Sequence, residues 1–406
     1  MPEINPDHPT DFGPHASATG DASATAQHQS SRSAERSTLP LRDWILLPLV
    51  AVITLAALGG GMRFIADREV GDRKSLANSP CIQDLGTGFH GVPNSVCTIN
   101  YSRGHSVEFK FNSCGERTLI ECGAKPEGVY RIVIIGASNP MGFGVPVEEA
   151  LAAQLSIDLS RQTGRRVEVY NAALLGSGGV PETLAKRMPE FLALHPDLIL
   201  WVFGAWDVNF KGGDEGEAPA ASLGKRSPLD SFGNSRAGFF LRSLLFQSQS
   251  IYMTAYLKRT ETIERANAIA SKSEPDRYRR FSQNLGEVAD QAKAAGVPVA
   301  AAFLPIRGES ASLLISPRPA GVDIDQMIQS VRGIMAQKGV VYLDVIPQLL
   351  AVPALDGIYD QIGDHLNAHG HAVYAHILSD SLSSGAVPSF SPGEQKRIEE
   401  KHGELK

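Results

Sequence analysis

The chain has 406 residues, 43% of them hydrophobic and 20% charged, with a formal net charge of −6 and a pI near 6.0. That length can bury one large core of about 250 residues or more and still carry appendages. The charge balance offers no basic surface to neutralise a phosphate backbone, which excludes nucleic acid as a partner.

Residues 1–42 are rich in Ser, Ala, His, Asp and Pro and nearly devoid of large apolar side chains. Such a segment cannot offset the entropy of ordering and reads as a disordered tail. From Trp44 to Met62 run nineteen residues without a charge, "WILLPLVAVITLAALGGGM". A helix of that length crosses a hydrocarbon core of about 30 Å, so residues 43–63 are expected to be a single-pass transmembrane anchor, in preference to a buried helix or a cleaved signal peptide. Arg32, Arg36 and Arg42 before it nearly balance Arg63, Arg68, Arg73 and Lys74 after it, so charge alone does not orient it.

The cysteines give the orientation. Cys81, Cys97, Cys114 and Cys122 are the only four and fall within 42 residues after the apolar run. No C-x2-C pair is present, so two disulfides are expected rather than zinc, with three pairings open. Disulfides persist in oxidising compartments, which places the large C-terminal part in the periplasm or exterior and the protein in the inner (plasma) membrane. Residues 75–130, with alternating runs such as "SVEFKF" (106–111), read as a small β-rich lead-in stapled by these bridges.

Beyond Tyr130 short apolar runs recur at 131–135, 167–170, 198–203, 297–303 and 340–345. Helical patterns lie between them: one opening at Pro146 with Leu151, Leu155 and Leu159 on one face, others near 182–194, 276–294 and 323–337, and a last near 369–383. Buried strands alternating with helices predict an α/β fold, a five-stranded parallel sheet with helices on both faces, whose chemistry gathers at the carboxyl ends of the strands. Residues 211–275 interrupt this rhythm as an insertion, with an apolar helix expected in "FFLRSLLFQSQSIYMTAYL" that serves as core or as a flap. Residues 386–406 are a polar C-terminal tail.

Ser138 follows the first of these strands in "RIVIIGASNP", in a tight turn that presents its hydroxyl at the catalytic edge. A serine nucleophile needs a base, and His365 in "DHLNAHGH" stands just ahead of the last helix. His369, His371 and His376 lie close by, but His369 and His371 do not share a helix face and no H-E-x-x-H pattern occurs, so no metal is expected. "NAALLGSGG" with Gly176 and "FGAWDVN" with Gly204 end the second and third strands at the same edge.

Taken together, "IIGAS", "NAALLG", "FGAWD" and "DHLNAHGH", in this order, resemble the four blocks of the SGNH/GDSL hydrolase superfamily over about residues 130–385, and "FNSCGERT" is similar to the lead-in of its membrane-anchored bacterial members. The resemblance implies a flavodoxin-like three-layer α/β/α sandwich (131–385) and a cofactor-free serine esterase or O-acyltransferase. Ser138 would be the nucleophile, His365 the base, and the backbone N–H groups of Ser138 and Gly176 the oxyanion hole. Three positions depart from the family's blocks: Ala137 for Asp, Trp206 for the oxyanion Asn, and Ile362 for the Asp three before the histidine. Asn209 is the alternative donor to Trp206. The acid is assigned to Asp364, with Asp360 as the alternative. The expected substrate is an acylated glycan or lipid of the cell envelope or exported polysaccharide, with acetyl as the expected acyl group and envelope polysaccharide machinery as a partner. The competing expectation is a catalytically impaired module that binds a glycan or partner protein, with Trp206 as a stacking platform.

Overall fold

A computed structural model describes residues 41–70, 79–85, 89–100, 106–209, 274–314, 324–360 and 365–387, with isolated positions between 241 and 251. Helix α1 spans Leu41–Val70. The chain divides into two compact units, Met1–Ala57 and Leu58–Lys406.

In the second unit, nine strands are described. The antiparallel pair β1 (Ile82–Asp84) and β2 (Phe89–Gly91) and the hairpin β3 (Val96–Asn100) and β4 (Ser106–Lys110) form the lead-in. The bridges are Cys81–Cys97 and Cys114–Cys122, which selects one of the three possible pairings. β5 (Tyr130–Gly136), β6 (Val167–Asn171), β7 (Leu198–Phe203), β8 (Val299–Phe303) and β9 (Val341–Leu343) form a parallel five-stranded sheet in the order β6-β5-β7-β8-β9. In chain order this is 2-1-3-4-5, the flavodoxin-like arrangement, with its switch point between β5 and β7.

Alternation along β5 sorts the core. Ile132 and Ile134 face helix α3 (Leu151–Thr163) and the helix that follows His365, whereas Val133 and Ile135 face the opposite layer. That second layer is built by α4 (Pro181–Ala193) and by the helices Glu274–Ala294 and Ile324–Lys338. Burial on both faces is why these strands read as continuous apolar runs. At the amino edge, Arg131 and Glu168 form a buried ion pair at 2.9 Å, and Arg131 also donates to the Leu194 carbonyl at 2.8 Å. The lead-in packs a third core, with Phe109, Phe111 and Ile99 against Met141 and Ala173 of the sheet's carboxyl edge.

Two expectations need correction. Among the described residues no helix is long and apolar enough to cross a membrane. α1 follows its apolar run with three glycines, Gly59–Gly61, and then Arg63, Asp67, Arg68 and Glu69, and it begins at Leu41, inside the segment read as a tail. The helix expected from Pro146 is also interrupted: one 3-10 turn, Val147–Glu149, is followed by extended Ala150, and α3 begins only at Leu151. The N–H groups of Glu149 and Ala150 bond the carbonyls of Pro146 and Val147, so the break leaves them satisfied. Almost all of the insertion at 211–275, its apolar helix included, lies outside the described residues.

Candidate active site

β5 delivers the chain to the carboxyl edge at the switch point and turns it sharply. Gly136 makes that turn possible: it has φ +156°, and a Cβ there would lie 2.4 Å from the Val202 carbonyl oxygen. Ser138 then opens a helical turn of four residues, α2 (Ser138–Met141), with Ala137 extended before it. Its Oγ lies 2.8 Å from Nε2 of His365, across 227 residues of sequence. This is the contact that a nucleophile and its general base require.

The histidine is held by a short antiparallel return. Tyr359 bridges Leu366, the N–H of Asp360 donates to the His365 carbonyl at 2.7 Å, and the N–H of Asn367 donates to the Ile358 carbonyl at 3.0 Å. Asn367 caps the following helix, Ala368–Ser381, by accepting from the N–H of Gly370 at 2.9 Å, while its amide donates to the carbonyls of Gly357 and Tyr359. On the other side the Phe143 ring lies 5.3 Å from the His365 ring. Asp364, the assigned acid, lies outside the described residues, as do 361–363. The alternative, Asp360, shares the bridge to His365 through its backbone.

Sequence reasoning overlooked the residue next to the nucleophile. Asn139 is buried, and its Oδ1 accepts from the N–H of Leu366 at 3.1 Å, so the neighbour of the serine is bonded to the neighbour of the histidine. This single bond fixes the register between the two loops that supply the pair. Asn171, fully buried at the end of β6, donates to the carbonyls of Pro140 and Met141 at 3.1 and 3.2 Å. Only the polar character of the two side chains, Asn139 just past β5 and Asn171 at the end of β6, hinted at such roles.

Gly176, the expected second oxyanion donor, begins a 3-10 turn, Gly176–Gly179, with φ +63°. The turn lies against the serine loop: the N–H of Leu174 donates to the Gly136 carbonyl at 3.0 Å, and a Cβ on Gly179 would come within 2.8 Å of the Ala137 nitrogen. Trp201 of β7 steadies it by donating from its indole to the Gly179 carbonyl at 3.0 Å.

After β7, Trp206 is half-buried in the short helix α5 (Ala205–Asn209). The side chain of Asn209 is outside what the structure describes. Asp207 is buried, accepts from the N–H of Gly204 at 2.9 Å, and leaves Oδ1 without a hydrogen-bond partner among the described residues. Burial pushes its carboxyl up to about 7. His371 is wholly buried as well, and burial first, then the charges of Arg117 and His365, hold its imidazole down at about 3, so it stays neutral. Among the described residues no group of three His, Cys, Asp or Glu side chains is placed to hold a metal ion.

A buried strand, a sharp glycine turn, a serine on a histidine nitrogen and a glycine turn beside it make up the site. The chain is similar to several solved structures. Examples are TesA (16% identity, 63% of this chain and 98% of that one, TM-score 0.37), a lipase/acylhydrolase from Enterococcus faecalis (16%, 63% and 96%, TM-score 0.34) and the acetyl xylan esterase AlAXEase (14%, 63% and 100%, TM-score 0.36). At these values the likeness carries nothing about activity. No family profile matches the chain. One curated sequence, a histidine–tRNA ligase from Corynebacterium jeikeium (strain K411), is 31% identical over 93 residues, and the chain spans only 21% of its length.

Proposed function

We propose that this protein is a serine esterase or O-acyltransferase in which Ser138 attacks an acyl ester and His365 takes its proton. The observation that carries this reading is the 2.8 Å contact between Ser138 Oγ and His365 Nε2. In the first half-reaction the serine oxygen bonds the acyl carbon, and the alcohol leaves with the proton from the histidine. In the second, water or an acceptor hydroxyl takes the acyl group and returns the proton. The N–H groups of Ser138 and Gly176 are proposed as donors to the tetrahedral oxyanion, and Asp364 as the residue that orients His365.

The substrate we propose is an acetyl or similar short acyl ester on a cell-envelope or exported glycan, reached from the outer side of the plasma membrane. Two disulfides in the lead-in support an oxidising compartment.

The deciding experiment is covalent labelling of the full chain by a fluorophosphonate, followed by intact mass, with Ser138→Ala and His365→Ala as controls. Labelling that needs both residues is the expected result. A folded protein that does not label sinks the esterase reading and leaves the glycan-binding module, for which Trp206→Ala would abolish retention on the glycan and Ser138→Ala would not.

A further inference from the structure

The serine turn is too short to hold itself. α2 has only four residues, and inside the α/β body the carbonyls at and beyond its end meet scattered single donors, the Asn171 amide at Met141 and the N–H of Val145 at Gly142, each at 3.2 Å. A group that joins them together comes from outside the α/β body. Arg117, in the loop closed by Cys114–Cys122, is 1% exposed, and its Nη1 donates to the carbonyls of Met141 and Gly142 at 2.8 and 2.6 Å, while Nη2 donates to the carbonyl of Val145.

The fit leaves no slack. Gly142 has φ +85°, and a Cβ there would lie 2.6 Å from Arg117 Nη1 and 2.7 Å from the Ala150 Cβ. The guanidinium stacks on Phe109 at 4.2 Å, Phe109 meets Phe143 at 6.3 Å, and Phe143 meets His365 at 5.3 Å. The loop itself is tied down. Asn112 Oδ1 accepts from the N–H groups of Cys114 and Glu116 at 2.9 Å each, its amide donates to the Ile120 carbonyl at 2.9 Å, and the N–H of Arg117 donates to the Asn171 carbonyl at 3.2 Å.

We infer that Arg117 is a positioning residue: the disulfide-bonded lead-in uses it to clamp the carbonyl end of the Ser138 turn, so that the nucleophile is aimed by a part of the chain outside the α/β body. Only a planar fork with several donors meets three carbonyls at once, and a lysine ammonium in its place does not. A slack turn misplaces the serine oxygen relative to His365.

The test uses the full chain with both disulfides formed. Arg117→Lys is compared with wild type for fluorophosphonate labelling rate across pH, melting temperature, and amide hydrogen exchange in segments 138–145 and 198–203. The expected result is labelling slowed roughly 10- to 100-fold with an unchanged pH midpoint, and faster exchange confined to 138–145. Labelling at the wild-type rate, or exchange that rises equally in 198–203, overturns the proposal and leaves Arg117 a general stabiliser. Should Arg117→Lys fail to fold, Cys114→Ser with Cys122→Ser frees the loop while keeping the guanidinium, and must give the same local signature. The rate readout rests on the esterase reading, but the exchange readout does not: an unlabelled wild type whose 138–145 segment still loosens in the variant keeps the clamp and discards the esterase.

Discussion

Single side chains at the carboxyl edge carry consequences that can be measured separately. Asp207 ionises at about 7 in the fold, against an ordinary value of 3.8. The folded chain therefore binds the extra proton between those values, and its contribution to stability is full below about pH 4, declines as pH rises to about 7, and is flat above. Asp207→Asn keeps an acceptor for the N–H of Gly204 and removes the titration. Unfolding free energies from urea titrations at pH 5 and pH 8 are expected to differ less in the variant, by a few kcal/mol at most, because the linkage acts between pH 5 and about 7 in that window. Asn139 makes a different prediction. Asn139→Ala leaves the buried N–H of Leu366 unpaired, at a cost of about 1–3 kcal/mol, and lets the two loops slip, so labelling of Ser138 should fall further than the loss of stability accounts for. A variant that loses stability but labels at the wild-type rate would show that the bond is structural only.

Among the elements, the sheet and its helices were legible because their signals are local. Strands buried on both faces appear as uninterrupted apolar runs, and Leu151, Leu155 and Leu159 disclose a helix by spacing. Ser138 and His365 were legible because each stands where a strand or loop delivers a residue to one edge. What stayed hidden depends on contacts far apart in sequence: Asn139 with Leu366, and Arg117 with Val145. The extended Ala150 was hidden for another reason, since alanine favours a helix and only the tertiary path of the serine loop overrules it. The helix Ala368–Ser381 offers a test at this scale. Asn367 caps it and pins the histidine return at two further carbonyls, so Asn367→Ala should cost about 1–2 kcal/mol in urea unfolding from the cap alone. A loss below a few tenths of a kcal/mol would show that the cap is replaced by solvent.

At the scale of the molecule, the lead-in and the α/β body share cores. Met141 and Ala173 belong to the apolar cluster of Phe109 and Phe111, and the chain from Leu58 onward is a single compact unit. Calorimetry of a chain beginning at residue 58 should accordingly show one transition, and two separated peaks would mean that the lead-in is an independent domain. Breaking Cys81–Cys97 by serine substitution should lower the temperature of that one transition, by a stability loss of about 3 kcal/mol, rather than split it.

The 227 residues between Ser138 and His365 matter before the protein is finished. A ribosome adds residues at roughly 5–20 per second, so for ten seconds or more the serine has left the machinery that makes it while its histidine does not yet exist. On the esterase reading, a chain interrupted before residue 365 carries the Ser138 hydroxyl without its proposed base. The pair thus comes together only after the last strand of the sheet and the histidine return have both been made.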